Sequence, residues 1–387
     1  MNSAAAPSSL TASADLPFLN NAAPGVLELH PYEPGMPIEE LQRRLGVPNA
    51  IKLASNENPL GAGEKVRRAL EAAASGNLAL YPDDGGFRLK ARLAQLHEVT
   101  PDSITLCNGS NTLLDLVARV FLGPGRAAMY SRYTFAVYPL VTTAQGAPAV
   151  VVPAFGGDSP MAYGDDVAEF ARRMREDVTV VFVASPNNPT GTWVDPQAFE
   201  GFMAAVPPRT LVVLDEAYFE FQDPALRIDS VRLLRQYPNL MVTRTFSKVH
   251  GIASMRVGYG VSHPRVAELL NRVRPPFNNG SLALLAAESA LDDTEHVARS
   301  VALNTRERAR MAAALQAMRL RVLPSQANFV TVHCGRASAP VHRALLERGV
   351  IVRAMGSYDL PDFLRVTIGT ESQNDRFLAA FAEALTA

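Results

Sequence analysis

Between residues 104 and 243 the chain repeats one pattern: a short apolar run, then a stretch whose apolar residues recur at helical spacing. The apolar runs are 104–107, 127–130, 149–152, 178–184, 210–214 and 240–243; the helical stretches between them are 112–121, 135–143, 165–175, 196–205 and 230–236. Runs that are apolar throughout, rather than alternating, suit strands covered on both faces, and the helices between them supply the cover. The pattern predicts an α/β fold with a mostly parallel central sheet. In such sheets ligands sit beyond the carboxyl ends of the strands. The polar motifs fall at those ends: Asn108-Gly-Ser-Asn111, Ser185-Pro-Asn-Asn-Pro-Thr-Gly191, Asp215-Glu-Ala-Tyr218 and Ser247-Lys248.

The flanks complete an outline. Residues 29–37 hold three prolines and a glycine within Leu29-His-Pro-Tyr-Glu-Pro-Gly-Met-Pro37, which makes an extended arm. Helices are expected at 38–45, 64–75 and 87–97, and again from 263 to about 274, where Pro275-Pro276 ends the run. A long helical region, 282–318, leads into a second strand-and-helix segment. A chain of 387 residues is too long for one simple core. The expected division is a flexible tail (1–28), an arm and segment packing with the smaller domain (29–60), a large domain (61–275) and a smaller α+β domain (276–387).

Composition excludes several function classes. Hydrophobic content of 48% and charged content of 19% fit a globular enzyme. A formal net charge of −1 provides no basic field for nucleic acid or anionic membrane. No apolar run reaches membrane-spanning length. Two cysteines, Cys107 and Cys334, cannot form a disulfide framework, so a reducing, cytoplasmic setting is expected. Seven scattered histidines show no metal-ligand spacing, and no metal is expected.

The chemistry gathers around Arg244-Thr-Phe-Ser-Lys-Val-His-Gly251. A lysine at a buried strand end loses its proton readily and can form a Schiff base with a carbonyl. Thr245, Ser247 and Arg256 flank it as phosphate donors, and Gly109-Ser110-Asn111 opens a helix whose free N–H groups suit phosphate. Asp215 ends a strand where packing does not explain an aspartate, and could hold a protonated ring nitrogen. Singly, each has a plainer reading: a surface lysine, a helix cap, an ordinary turn, a core aromatic. Their conjunction, each at a strand end, points to pyridoxal phosphate.

Ser185-Pro-Asn-Asn-Pro-Thr-Gly191, Asp215-Glu-Ala-Tyr218 and Thr245-Phe-Ser-Lys248 with Arg256 resemble the fold-type I, class I/II aminotransferases over nearly the whole chain beyond the tail. Pro31-Tyr-Glu-Pro-Gly35, Ala54-Ser-Asn-Glu-Asn-Pro59, Tyr81-Pro-Asp83 and Leu364-Arg-Val-Thr-Ile-Gly369 are similar to the histidinol-phosphate aminotransferases within them. That resemblance implies pyridoxal-phosphate-dependent amino transfer between histidinol phosphate and 2-oxoglutarate. It makes Lys248 the Schiff-base lysine, Asp215 the pyridinium partner, and Asn188 and Tyr218 the contacts to the ring hydroxyl. Phe135 would stack on the ring, and Gly109, Ser110, Asn111, Thr245, Ser247 and Arg256 would cup the phosphate. Tyr81 would reach the neighbouring subunit's cofactor, implying a homodimer. Tyr32, Asn56, Arg353 and Arg365 would meet the substrate. The sequence departs from the family at Thr112, Tyr133, Val249-His250 and Ala253-Ser-Met255. Aromatic amino-acid aminotransferases and decarboxylases of the threonine-phosphate type share the core motifs and stand beside this reading.

Overall fold

The structure is a computed structural model and describes residues 18, 21–29, 35–76 and 79–386. Its centre is a seven-stranded sheet in the spatial order Ile104–Cys107, Gly258–Ser262, Leu240–Thr245, Leu211–Asp215, Val178–Ala184, Ala127–Ser131, Ala149–Val152. Neighbouring strands are parallel except Gly258–Ser262, which runs antiparallel to both its neighbours. Along Leu211–Asp215, Val212 and Leu214 join one buried cluster with Phe170, Phe199 and Phe202, whereas Leu211 and Val213 join another with Leu113, Tyr138 and Phe182. Both faces are therefore covered, as uninterrupted apolar runs require.

Strand Gly258–Ser262 has no counterpart in the sequence reading, because two of its five residues are glycine. Its geometry explains them. A Cβ on Gly258 would stand 2.4 Å from the Ser110 nitrogen, and one on Gly260 would stand 2.6 Å from Met241 Cε. Glycine lets helix Gly109–Phe121 cross close over the strand.

A second sheet, Arg353–Ala354, Phe363–Thr367 and Phe329–His333, is antiparallel. It shares a core with Met311 and Leu315, Val341 and Leu345, and Phe377 and Phe381 from three helices. Ile51–Lys52 pairs in parallel with Val350–Ile351, so the chain on both sides of the large sheet meets here. The long helical region is two helices, Ser281–Asp292 and Thr294–Ala317. Asp293 separates them and its carboxylate caps the second by accepting from the His296 N–H. Helix Ser281–Asp292 packs with Leu89, Leu93, Ile104 and Val261 beside the large sheet. Within the segment expected as a tail, Pro24–Leu27 is helical, and Gly25 lies so near the Thr143 carbonyl that no side chain fits there. Among the described residues no helix is long and apolar enough to cross a membrane.

Candidate active site

The strand ends deliver their motifs to one cleft. Asp215 is the last residue of Leu211–Asp215, and Ser247 and Lys248 follow Leu240–Thr245. Ser110 and Asn111 open helix Gly109–Phe121, and Asn188 lies in the loop after Val178–Ala184. These residues line the cleft together with Asn56, Phe135, Tyr218, Thr245, Arg256, Arg353 and Arg365. Gly109 sits behind the lining, against Arg256. Tyr81 does not line it: its ring is 80% exposed and stacks on Phe277 at 4.6 Å. Tyr32 lies outside the described residues. None of the family departures, Thr112, Tyr133, Val249, His250 or Ala253 to Met255, is in the lining.

Lys248 Nζ donates to the Ser55 carbonyl at 3.1 Å. Burial, then the positive charge of Arg365 and of Arg256, pull its pKa down to about 7 against the opposing pull of Glu57. A large fraction of this amine is neutral near neutral pH and free to act as a nucleophile or a base.

Burial pushes the Asp215 carboxyl above the ordinary range. Opposing that, Tyr138 Oη donates to Asp215 Oδ2 at 3.0 Å, the Ala217 N–H donates to Oδ1 at 3.2 Å, and the Lys248 charge attracts the carboxylate. Tyr138 is itself wholly buried, stacked on Phe182 at 4.8 Å and edge-on to Phe135 at 5.9 Å. The sequence reading missed it, because a phenol inside an apolar helix reads as core. A cation beside a buried carboxylate favours its charged form, which suits a protonated ring nitrogen.

Two groups of anion donors open into the cleft. A Cβ on Gly109, which has φ +77°, would stand 2.2 Å from Arg256 Nη2. Glycine lets the guanidinium lie over the first turn of the helix, whose N–H groups have no helical partner. Arg256 Nη1 also donates to Ser247 Oγ at 3.3 Å. The second group is Arg353 and Arg365, directly opposed on an antiparallel ladder. Both guanidinium groups line the cleft, and a planar guanidinium suits a phosphate or a carboxylate. Arg365 is 5% exposed; it donates to Asn188 Oδ1 and to the Ala54 carbonyl, while its Nε–H has no acceptor among the described residues.

Three consecutive residues hold three of these groups: the Ala54 carbonyl accepts from Arg365 at 2.8 Å, the Ser55 carbonyl from Lys248, and Asn56 Nδ2 donates to Tyr218 Oη at 2.8 Å. The backbone roles of Ala54 and Ser55 leave no side-chain signal. Burial raises the Tyr218 pKa to about 12, with Arg365 and Asn56 acting the other way, so its hydroxyl keeps its proton. Below the site, Arg244 and Glu216 form a buried ion pair at 2.8 Å, with the guanidinium 3.6 Å from the Phe219 ring centroid. That pair pins the turn carrying both Asp215 and Tyr218.

A lysine of lowered pKa, a buried carboxylate and paired anion sites at strand ends define an enzyme that works on amines through a phosphorylated carbonyl cofactor. Residues 48–381 match the family model described as aminotransferase class I and II, and the chain belongs to that family. It is 48% identical over 370 residues to "Histidinol-phosphate aminotransferase 2" of Pseudomonas fluorescens, covering 95% of this chain and 98% of that protein. It is likewise 48% identical over 362 residues to "Histidinol-phosphate aminotransferase 1" of Dechloromonas aromatica, covering 93% and 97%. Its fold is similar to the crystal structure of histidinol-phosphate aminotransferase from Sinorhizobium meliloti in complex with pyridoxal-5'-phosphate. There the TM-score is 0.85 and the identity 28%, with 94% of this chain and 97% of that one covered.

Proposed function

We propose that this chain is a pyridoxal-phosphate-dependent aminotransferase that moves an amino group between L-histidinol phosphate and 2-oxoglutarate, a step of histidine biosynthesis. The observation that carries the reading is one cleft holding a lysine of pKa about 7, a buried carboxylate and two separate sets of anion donors. One set suits a cofactor phosphate, and the other suits a substrate phosphate or carboxylate. Identity of 48% to relatives named for histidinol phosphate supports the choice of amine.

The donor set fits the cofactor. Lys248 would hold its carbonyl carbon and Asp215 its ring nitrogen, with Asn188 and Tyr218 at the ring hydroxyl and Phe135 on its face. Gly109, Ser110, Asn111, Thr245, Ser247 and Arg256 would cup its phosphate. When bound, pyridoxal phosphate supplies an aldehyde that captures the amine and a ring that accepts electrons as the α proton departs. Lys248 Nζ, its pKa brought down to about 7, would take that proton from the substrate Cα and return it to the carbon on the other side of the amine nitrogen. Arg365, Arg353 and Tyr32 are assigned to the substrate end; Arg365 would grip a phosphate in one half-reaction and a carboxylate in the other.

The same reading includes a cytoplasmic homodimer in which Tyr81 serves the partner's cofactor. Leu80, Tyr81, Phe87 and Phe277 are all large, apolar and exposed, which supports a second copy covering them. It also keeps the division into a large unit (61–275) and a smaller one (276–387), with helix Ser281–Asp292 packed on the larger side.

The test is a half-reaction screen. Holoenzyme is mixed with histidinol phosphate, phenylalanine, glutamate or threonine phosphate, and the cofactor's absorbance and released carbon dioxide are followed. Histidinol phosphate should convert the cofactor to its amine form fastest, without carbon dioxide. Arg353→Ala should slow histidinol phosphate more than glutamate. A preference for phenylalanine replaces the substrate; carbon dioxide release replaces the reaction.

A further inference from the structure

Asn56 was expected to touch substrate, yet its side chain is 1% exposed and both ends of its amide are engaged with the protein. The hydrogen bonds around it form one directed chain. The Asn56 backbone N–H can only donate, and it donates to Thr367 Oγ1 at 2.9 Å. Thr367 keeps its own proton for Asn56 Oδ1, 3.2 Å away, which can only accept. The amide NH₂ is thereby turned toward Tyr218 Oη at 2.8 Å, where it can only donate. Tyr218 must accept there, and its own proton is left for a different acceptor.

The frame is rigid. Asn56 adopts φ +56°, a conformation asparagine tolerates, and its carbonyl accepts from Asn328 Nδ2 at 3.0 Å. Thr367 and Tyr218 are buried too, at 3% and 4% exposure. Tyr218 meets Phe329 edge-on at 5.4 Å, so its ring cannot swing to follow a different partner.

We propose that Asn56 is a positioning residue that does not touch substrate: with Thr367 it holds the Tyr218 hydroxyl as an acceptor on its buried side, so that the Tyr218 proton points into the cofactor cleft. The inference rests on the reading that Tyr218 meets the cofactor's ring hydroxyl. A hydroxyl that already accepts a hydrogen bond is a stronger donor. Donation to the ring oxygen stabilises its ionised form. It therefore lowers the pH at which the bound cofactor's visible absorbance changes.

The experiment titrates that absorbance in purified holoenzyme for wild type, Tyr218→Phe, Asn56→Leu, Thr367→Val and the Tyr218→Phe/Asn56→Leu pair. Leucine keeps the size of Asn56 and adds no charge. Tyr218→Phe should raise the midpoint by about one pH unit, the size of a hydrogen bond to an ionised group. Asn56→Leu should raise it in the same direction by about half a unit or more, and should add nothing in the Tyr218→Phe background. Thr367→Val should shift it the same way and carries the test if Asn56→Leu does not fold. A midpoint that Tyr218→Phe moves and neither Asn56→Leu nor Thr367→Val moves overturns the inference alone. So does an Asn56→Leu shift that persists in full without the Tyr218 hydroxyl. A midpoint indifferent to Tyr218→Phe overturns the placement of Tyr218 itself, and the inference with it.

Discussion

Tyr138→Phe deletes one hydroxyl and leaves the stacked ring in place. In the folded protein that hydroxyl donates to Asp215 Oδ2 at 3.0 Å in a fully buried setting, and the Ala217 N–H also donates to this carboxylate. A hydrogen bond to an ionised group contributes about 1.5–3 kcal/mol. Losing it raises the proton affinity of Asp215 by roughly one to two pH units, in the direction burial already drives it. On the proposed placement of the cofactor, a more basic Asp215 would draw the proton away from the ring nitrogen, and the electron-accepting power of the site would fall. The full effect would slow proton removal from the substrate by about tenfold to a hundredfold. Because only part of it is expressed in the transition state, tenfold is the expected value. The assay is a single-turnover stopped-flow measurement with saturating histidinol phosphate, with cofactor content and urea midpoint as controls. A rate within twofold of wild type in a fully loaded variant would refute the idea that Tyr138 tunes Asp215.

Other outcomes follow from the same geometry. Lys248 has a folded pKa of about 7 against an ordinary 10.5. Between those values the unfolded chain binds a proton that the folded chain lacks, so stability of the cofactor-free protein should rise with pH across that window. Urea midpoints should record the rise, and Lys248→Met should flatten it; an equal rise in the variant contradicts the assignment. Arg244→Met strands Glu216, which is 2% exposed, without its cation. It should cost about 3–5 kcal/mol by chemical denaturation, with a large part recovered when Glu216 is also made apolar. Tyr81→Phe and Lys248→Ala subunits, each inactive alone, should regain some activity when refolded together, and a fully active Tyr81→Phe enzyme argues against shared sites.

The sheet was legible because buried parallel strands need uninterrupted apolar runs, and six of its seven strands are followed by helices. Helices Pro196–Ala205 and Ser230–Gln236 coincide with the expected spans. Strand Gly258–Ser262 was hidden because its glycines answer to a neighbouring helix, not to strand preference. The break at Asp293 did carry a local signal, an aspartate three residues before the His296 N–H that it caps. In the site, Lys248, Asp215, Asn188 and Ser110, which line the cleft, stood out at strand ends. Tyr138 and Thr367 did not, since each acts through one buried hydroxyl whose partner lies far away in sequence. The carbonyls of Ala54 and Ser55 could not be read at all, because any residue type offers the same oxygen.

The Ala54–Asn56 segment also bears on synthesis of the protein. Asn56 and Ala54 reach partners on strand Phe363–Thr367 that lie 311 residues further along the chain. A ribosome adding about 5–20 residues per second needs roughly 15–60 s to make that stretch. Throughout that interval the Ala54–Asn56 segment, whose groups meet Lys248 and Tyr218, lacks its own anchor on that strand. The nascent chain can lay down the large sheet early, but it cannot yet hold the lysine and the tyrosine in working positions. A polypeptide stopped short of residue 367 would keep every strand-end motif of the large sheet and still have no organised centre. Capture of the cofactor in its active geometry is thereby made a late event, reserved for chains translated through their last strand.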